Sequence, residues 1–348
     1  MKIPKSALPA LLLPLSLLLS ACGGASTAAG GAGGGDTTDG KGDVTLNVGD
    51  QKGGAEAVLR AAGELDDLKY RITWSTFTSG PPLLEAVSAE AADIGGVGNT
   101  PPVFAAGSKS KIRIVGASHG TTDGEVIAVP KDSPLKKPKD LKGKTVAVAQ
   151  GSSAHFQLIA SLKRAGLSVG DVKISYLQPA DALAAFSRGK VDAWAIWDPY
   201  TSQVLRTADA RVLTTGKGVS NGLNFQVASP AALKDRKKSA AIADYLKRLR
   251  RAQNWVFRHP EAWAKVWAKE TGLPYGVALD SVERTNGTRV TVAVDKPAVA
   301  SEQKIADTFA ALKLIPRRFS FADYVDTRYN RGLPASSTQP RSYGKAPR

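Results

Sequence analysis

The chain has 348 residues, 43% of them hydrophobic and 22% charged, a composition typical of a folded globular protein. Its formal net charge is +16, a balance that suits binding to nucleic acid, to anionic lipid or to small anions. The basic residues are scattered over predicted helix faces, as in 234–238 and 247–251, without interleaved aromatic residues. This pattern favours a solvated surface that attracts anions and argues against a nucleic-acid partner.

The N-terminus has the pattern of a secretory signal. Two lysines precede an apolar run over 8–19, which is too short to cross a bilayer as a helix. Leu-Ser-Ala then leads to Cys22, the single cysteine of the chain, and this segment resembles a bacterial lipobox. We predict a signal peptide over 1–21 and a lipid on Cys22 that anchors the mature protein at the extracytoplasmic face of the cell membrane. The alternative is an ordinary signal peptide in which Cys22 is incidental.

Two segments have compositions that cannot form a core. Residues 22–42 are mostly Gly, Ala, Ser, Thr and Asp, and they are predicted to form a flexible tether. Residues 332–348 lack hydrophobic periodicity and are predicted to be a disordered tail. The roughly 290 residues between them are enough for two lobes.

Predicted strands and helices alternate along the first part of the body. Strands are expected near 44–48, 70–77 and 94–97, each followed by a turn and a helix, and two more strands near 111–117 and 124–130. Alternation of this kind indicates parallel β-α-β units in an α/β sheet. Residues 43–130 are therefore predicted to form the first part of lobe I.

The same order of elements starts again after a Pro- and Lys-rich connector at 131–139. Residues 131–220 are predicted to form lobe II, and 221–331 to return to lobe I through a strand at 223–228 and several helices. Crossovers near 128–132 and 217–223 would form a hinge that closes the lobes around a ligand. The predicted fold class is thus α/β, with two lobes and a hinge of two crossover strands.

Candidate binding residues lie where the predicted strands end, because ligands of open α/β sheets bind beyond the carboxyl ends of the strands. Three of these loops begin helices, and such starts offer free backbone N–H groups to an anion. The same residue types are also ordinary helix caps, and for any single loop that alternative stays open. The candidates are Gln51, Lys52, Ser79, Gly80, Asn99, Thr100, Ser152, Ser153, His155, Trp194, Asp198, Tyr200 and Asn224.

Several segments together resemble a known family. They are Asp-Gln-Lys-Gly at 50–53, Gly-Asn-Thr-Pro-Pro at 98–102, Gly-Ser-Ser-Ala-His at 151–155 and the run at 191–200. The chain resembles the aliphatic sulfonate-binding proteins of ABC importers, to which taurine- and nitrate-binding proteins are more distantly related. The resemblance implies a periplasmic-binding-protein-like (Venus flytrap) fold that captures a sulfonate for sulfur acquisition and delivers it to a permease with its ATPase. Asn99 departs from the acidic residue that is frequent in the family, which leaves the preferred tail of the ligand open.

A rival class is an enzyme on the same scaffold, since thiamine-pyrimidine synthases resemble this family. Such enzymes need reactive His and Cys residues, whereas His119, His155 and His259 have no metal-ligand spacing. Neither Ser152 nor Ser153 has partners in the order of a catalytic triad. We therefore expect a binding protein with no catalytic residue, no metal and no cofactor. Taurine, nitrate or another small organic anion is the alternative ligand.

Overall fold

The computed structural model describes residues 37–38, 42–51 and 53–343. The predicted signal peptide, Cys22, most of the predicted tether and Lys52 lie outside the described residues. Two β-sheets, each with helices on both faces, form two lobes. Within the described part of the chain, no helix is long and apolar enough to cross a membrane.

Strands and helices alternate over most of the chain. The strands are β1 Thr37–Thr38, β2 Thr45–Gln51, β3 Arg71–Phe77, β4 Ile94–Gly98, β5 Arg113–His119, β6 Val126–Pro130, β7 Thr145–Val148, β8 Lys173–Tyr176, β9 Ala193–Ile196, β10 Ala210–Thr215, β11 Leu223–Ala228 and β12 Val290–Val292. The helices are α1 Ala55–Ala61, α2 Gly80–Ser88, α3 Thr100–Gly107, α4 Ser153–Arg164, α5 Pro179–Ser187, α6 Tyr200–Thr207, α7 Pro230–Lys234, α8 Arg236–Arg258, α9 Pro260–Thr271, α10 Tyr275–Arg284 and α11 Lys296–Ala311.

Lobe I contains a seven-stranded sheet in the order β1-β3-β2-β4-β11-β5-β12. Its central strands β3, β2 and β4 are parallel, and β11 and β5 run antiparallel to their neighbours. Alternate side chains of the strands face opposite sides, so each face carries its own apolar core. Tyr245 and Trp263 pack on one face, and Leu83 and Phe309 on the other.

Lobe II contains a five-stranded sheet in the order β10-β6-β9-β7-β8. Strands β8, β7 and β9 are parallel, whereas β6 and β10 are antiparallel to their neighbours. Leu158 of α4 packs on one face of this sheet, and Phe186 of α5 packs on the other. The predicted α/β fold class with two lobes is therefore confirmed.

The helix starts follow from local sequence. Proline occupies the first turn of α2, α3, α5 and α9, where its missing N–H breaks no helical hydrogen bond. The side chains of Ser152, Ser229, Asp235 and Asp295 accept hydrogen bonds from backbone N–H groups of the first turns that follow them. These caps place the helix starts reproducibly at the strand ends.

The first connection between the lobes lies earlier in the chain than predicted. Strand Val126–Pro130 pairs with β9 and β10, so it belongs to lobe II and not to lobe I. The predicted crossover near 128–132 is therefore wrong, because those residues complete a strand pair inside lobe II. The first crossover is the segment 120–125, and the second crossover is the segment 216–222.

The two crossovers are hydrogen-bonded at both ends. The N–H of Gly120 donates to the carbonyl of Gly222 at 3.0 Å, and the N–H of Gly216 donates to the carbonyl of Glu125 at 2.7 Å. Because each crossover satisfies backbone groups of the other, we expect the two segments to move together when the lobes rotate.

The C-terminal residues differ from the predicted disordered tail. Residues 332–343, which we call the C-terminal strap, pack along lobe I. The carbonyl of Pro334 accepts from Ala293 N–H at 2.8 Å, and the hydroxyl of Ser336 donates to Asp295 at 2.5 Å. The prediction of disorder fails because hydrogen bonds fix the strap to lobe I, although its sequence has no periodic pattern of apolar residues. Residues 344–348 lie outside the described part.

The predicted tether also differs from the structure at one point. Thr37–Thr38 forms the short strand β1, which pairs antiparallel with Ile72 and Thr73 of β3. Strand β3 is otherwise at the edge of its sheet, where unpaired backbone groups accept a further strand.

Candidate ligand-binding site

A cavity of about 230 Å³ lies between the two lobes. Lobe I contributes strand ends and the C-terminal helices, lobe II contributes the start of α4 and the end of β9, and both crossovers line the cavity. Its polar and charged lining residues are Asp50, Gln51, Ser118, Thr121, Glu125, Ser152, Ser153, Asp198, Asn224, Gln226, Gln253, Thr285, Asn286 and Arg289. The location between the lobes matches the position expected for a ligand.

The lobes touch in two places beside the cavity. The first is an aromatic contact, in which His155 of α4 packs against Phe104 and Phe309 of lobe I, with ring centroids 6.1 and 5.2 Å apart. The second, which we call the polar latch, joins Asp198 of lobe II to Thr285 and Arg284 of lobe I. The Thr285 hydroxyl donates to Asp198 Oδ2 at 2.7 Å, and Arg284 Nε lies 3.5 Å from the same oxygen.

Asp198 lines the cavity, but its oxygens are already engaged. Oδ1 accepts from the N–H and the hydroxyl of Ser202 at 3.0 and 2.7 Å, and Oδ2 accepts from the Thr285 hydroxyl within the latch. Burial raises the pKa of Asp198, and Arg284 and the hydroxyl and N–H donors act in the opposite direction. Asp198 therefore holds the lobes together and has little capacity left for a ligand.

Gly124 is the residue that lets the latch form. A Cβ atom at this position would lie 2.3 Å from both Asp198 Oδ2 and the Thr285 hydroxyl. The carbonyl of Gly124 also accepts from the hydroxyl of Thr201 at 2.8 Å. A side chain here would therefore separate the two lobes.

The first two helix starts only partly reach the cavity. Gly80 lines it, whereas Ser79 is fully buried and does not. Asn99 and Thr100 are also buried away from the cavity. The Asn99 amide donates to Asn221 Oδ1 at 2.8 Å and accepts from the Thr100 hydroxyl at 2.9 Å, so these residues attach the second crossover to lobe I.

At the start of α4, Ser152 and Ser153 both line the cavity with different hydrogen bonds. The Ser152 hydroxyl donates to the carbonyl of Ala149 at 2.7 Å and accepts from His155 N–H, so it serves as a helix cap. Ser153 begins the helix, and its side chain lies against Gly98 of lobe I. Ser153 is therefore the residue of this pair whose hydroxyl is not used as a helix cap, and it lies beside Glu125 in the cavity.

His155 does not line the cavity. Its ring is fully buried in the aromatic contact, where Tyr176 also packs edge-on at 5.3 Å. Burial lowers the pKa of His155 to about 4, so the imidazole is neutral at physiological pH. Its Nδ1 atom accepts from Gly151 N–H at 3.3 Å.

Trp194 and Tyr200 belong to the core of lobe II. Trp194 is fully buried between Phe186 and Tyr200, and neither Trp194 nor Tyr200 lines the cavity. The aromatic residue of this run that reaches the cavity is Trp197, which follows the end of β9. The structure thus places Trp194, a candidate binding residue, in the core and not in the cavity wall.

Gln51 and Asn224 reach the cavity as predicted. The Gln51 amide donates to the carbonyl of Gly96 at 3.2 Å, and the Asn224 amide donates to the carbonyl of Gly222 at 3.3 Å. Beside Gln51, Asp50 accepts from the N–H groups of Gln51, Ala55 and Glu56 at 2.8–2.9 Å. Burial raises the pKa of Asp50 to about 6 despite these donors.

Arg289 lines the cavity but is not among the candidate binding residues found from the sequence. Among the described residues, it is the only basic side chain that lines the cavity. Burial lowers the pKa of its guanidinium, and the negative charge of Glu125 opposes that shift. Arg289 directly precedes β12, and the alternating Val-Thr-Val-Ala-Val at 290–294 was the signal that could have located it.

The rest of the wall is largely aromatic and apolar. Trp263 and Trp267 of α9 stack with centroids 6.2 Å apart, and both line the cavity with Val256 of α8. Their indole N–H groups donate to Asn286 Oδ1 at 2.9 Å and to the carbonyl of Gly53 at 2.5 Å. With their N–H groups occupied, the rings present apolar surface to the cavity that Arg289 also lines.

These features define a two-lobe substrate-binding protein of the periplasmic-binding-protein type. The NMT1/THI5-like family model matches residues 80–263. The chain is 36% identical over 277 residues to the aliphatic sulfonates-binding protein of Escherichia coli (strain K12), covering 78% of this chain and 86% of that protein. The chain belongs to this family of sulfonate-binding proteins.

Solved structures agree with this assignment. The alkanesulfonate-binding protein SsuA from Xanthomonas axonopodis pv. citri, bound to MOPS, is 34% identical with a TM-score of 0.74, covering 81% of this chain and 98% of that one. The E. coli aliphatic sulphonate-binding protein SsuA is 32% identical with a TM-score of 0.72, covering 87% and 94%. The desulfurization enzyme DSZB is 17% identical with a TM-score of 0.59, so it shares the fold alone. The chain is a binding protein and not an enzyme.

Proposed function

We propose that this protein captures an aliphatic sulfonate outside the cytoplasm and delivers it to an ABC permease with its ATPase for sulfur acquisition. The observation that carries the proposal is the position of Arg289, a cation that lines the cavity between the lobes together with tryptophan rings. The guanidinium suits the anionic group, and the rings suit a short apolar tail. The named ligands of the relatives support the same class of ligand.

Additional donors around the anion come from both lobes. The Ser153 hydroxyl belongs to lobe II, whereas the amides of Asn224 and Gln51 belong to lobe I. A ligand that uses donors from both lobes stabilises the closed arrangement over an open one, which is the basis of ligand-driven closure.

Calorimetric titration with a panel of anions tests the ligand class. The panel contains alkanesulfonates of increasing chain length, taurine, nitrate, sulfate and carboxylates. We expect the alkanesulfonates to bind with one-to-one stoichiometry and without turnover. Arg289→Ala should weaken binding by about tenfold to a hundredfold or more, since a hydrogen bond to a charged group contributes about 1.5–3 kcal/mol. Arg318→Ala, at an exposed arginine outside the cavity, is the matched control. Tight binding of sulfate or carboxylates with indifference to sulfonates would overturn the proposal.

We also propose that Cys22 carries a lipid that anchors the protein. The support is its position directly after the apolar run of the predicted signal. Mass spectrometry of protein extracted from membranes should detect a diacylglycerol adduct at Cys22, and Cys22→Ser should release the protein from the membrane fraction. A mature N-terminus elsewhere with an unmodified Cys22 would contradict this part of the proposal.

The role in sulfur acquisition has its own test. Cells that lack this protein should fail to grow on an alkanesulfonate as the sole sulfur source and should grow normally on sulfate. Arg289→Ala should not restore growth on the sulfonate, whereas Arg318→Ala should. Normal growth of the deletion strain on every sulfonate of the panel would contradict the role.

A further inference from the structure

Glu125 is a carboxyl group that the proposed binding role does not yet use. It is the last residue of the first crossover, and its carbonyl accepts from Gly216 of the second crossover. The side chain lines the cavity, where its buried Oε2 atom has no hydrogen-bond partner among the described residues. A buried acceptor without a partner is costly, so a proton or a further donor, from a ligand or from the neighbouring Ser220 and Ser153 hydroxyls, stabilises this oxygen.

Groups from both lobes and both crossovers face Glu125. Burial raises the pKa of Glu125, and the hydroxyls of Ser220 and Ser153 and the charge of Arg289 in lobe I act in the opposite direction. A Cβ atom at Gly216 would lie 3.2 Å from Glu125 Oε2, so the second crossover packs directly on the carboxyl group. A Cβ atom at Gly120 would lie 3.1 Å from Arg289 Cγ, so the first crossover packs on the side chain of Arg289.

The other carboxyl groups of the cavity have their own donors. Asp50 accepts from three backbone N–H groups, and Asp198 accepts from Ser202 and Thr285. Among the described carboxyl groups of the cavity wall, Glu125 is therefore the one on which the charge of Arg289 acts.

Binding of an anion favours the protonated form of the Glu125 carboxyl group over the ionised form. The anion occupies the guanidinium that favours the ionised carboxylate, and it adds a second negative charge in a site with little water. Both effects disfavour a charged Glu125. A sulfonate stays ionised at physiological pH and cannot carry a proton itself, so the proton must be on the protein side of the contact.

We propose that Glu125 takes up a proton when the anion binds and then donates a hydrogen bond to it, which makes capture of the ligand proton-linked. This inference rests on the proposed function, because it requires that the ligand is an anion held at Arg289. It assigns Glu125 as a specificity-determining residue, since a neutral carboxyl group next to a guanidinium suits a monoanion that has acceptors and no proton of its own.

The linkage has a defined sign. Above the pKa of Glu125 in the ligand-free protein, binding must bring in one proton, so affinity falls as pH rises, by up to about tenfold per pH unit. Below that pKa the carboxyl group is already protonated, and affinity is constant.

Calorimetry with butanesulfonate tests the proposal on the full mature chain. Titrations between pH 5.5 and 8.5 in two buffers with different enthalpies of ionisation give the number of protons taken up per ligand. We expect uptake that approaches one proton at the upper end of the range, together with the decline in affinity. Glu125→Gln, which is neutral at every pH, should show no uptake and a flat profile, and should bind more tightly than the native protein at pH 8.5. Glu85→Gln, at an exposed carboxyl group outside the cavity, is the matched control and should retain both uptake and slope.

The outcomes separate the inference from the function on which it rests. Binding of butanesulfonate by the native protein without proton uptake would overturn the role of Glu125 and leave the proposed function intact. Persistence of the slope in Glu125→Gln, or its loss in Glu85→Gln, would overturn it as well. If butanesulfonate does not bind at any pH, the proposed function fails, and the inference fails with it. The measurement on the native protein does not depend on how well any variant folds.

Discussion

At the scale of single residues, Ser152 and Ser153 show how neighbours in sequence can have different roles. The hydroxyl of Ser152 is committed to Ala149 and to the first turn of α4. Ser153 faces lobe I across the cavity, close to Glu125. Stability and ligand binding should therefore respond separately at the two positions.

Replacing each serine with alanine tests this difference. Ser152→Ala should lower the free energy of unfolding by about 1 kcal/mol, the usual contribution of a helix cap, with a small effect on affinity. Ser153→Ala should weaken alkanesulfonate binding by about tenfold and leave the unfolding midpoint nearly unchanged. Thermal unfolding and calorimetry on both variants measure the two effects. Equal loss of affinity in both variants would contradict the assignment.

His155 predicts an acid sensitivity of the fold. Its pKa is lowered to about 4 in the folded protein from 6.5 in the unfolded chain, because burial disfavours the charged ring. The unfolded state thus binds more protons between these values, so the stability contributed by the neutral ring is fully present above pH 6.5 and is lost as pH falls toward 4. The shift corresponds to about 3 kcal/mol.

Denaturant unfolding at pH 7 and pH 4.5 measures this effect. His155→Phe should lose less stability between the two pH values than the native protein. His259→Gln, at an exposed histidine, should behave as the native protein does. An unchanged pH dependence in His155→Phe would show that other groups account for the acid sensitivity.

At the scale of elements, the C-terminal strap supports the segment that carries Arg289. The N–H of Arg341 donates to the carbonyl of Thr288 at 2.8 Å, and the ring of Tyr343 packs on Phe257 with centroids 5.0 Å apart. The Nδ1–H of His119, at the end of β5, donates to the carbonyl of Thr338 at 2.8 Å. The strap thus contacts both the residue before Arg289 and the strand that leads into the first crossover.

Deleting the strap should therefore affect the site without removing any lining residue. A chain that ends at Leu333 should bind alkanesulfonates at least about tenfold more weakly, because the hydrogen bonds of the strap to Thr288, His119 and Asp295 are lost. A chain that ends at Tyr343 is the control and should bind as the full chain does. Calorimetry on the two truncated proteins, with circular dichroism to verify folding, measures the difference. Equal affinities would show that lobe I alone positions Arg289.

At the scale of the whole molecule, the aromatic contact and the polar latch set the balance between open and closed lobes. Both contacts join side chains of one lobe to side chains of the other, so the lobes have favourable contacts even without a ligand. A second pair, Arg206 and Asp280, bridges α6 and α10 at 2.6 Å, although its partial exposure limits its contribution.

Thr285→Val tests the latch, because it removes the hydrogen bond to Asp198 while keeping the shape of the side chain. We expect a larger radius of gyration in the ligand-free protein by small-angle scattering and weaker binding of alkanesulfonates by about tenfold. Saturating ligand should restore the compact form. Thr207→Val, at a threonine whose hydroxyl bonds within its own helix, is the control. No change in radius or affinity would show that the latch does not govern closure.

The sequence predicts most of the order of elements, since alternating strands and helices carry strong local patterns. Local pattern does not say which sheet a strand joins, which is why Val126–Pro130 was placed in the wrong lobe. Residues such as Gln51 and Ser153 could be found because strand ends converge at one edge of a sheet. Local pattern does not pair Arg289 with Glu125, because only tertiary packing brings them together from positions far apart in the chain.

Lobe I is built from two separate stretches of chain, and this affects the order in which the lobes fold during synthesis. Lobe II is continuous over 126–215, whereas lobe I needs β11, β12 and α8 to α11, which are made last. As the polypeptide emerges from N- to C-terminus, lobe II can reach its native structure first, while β2 to β5 await their partners. We expect nascent chains halted near residue 220 to contain a protease-resistant lobe II and a sensitive N-terminal part. The strands that are synthesised first would thus be among the last to become native and protease-resistant.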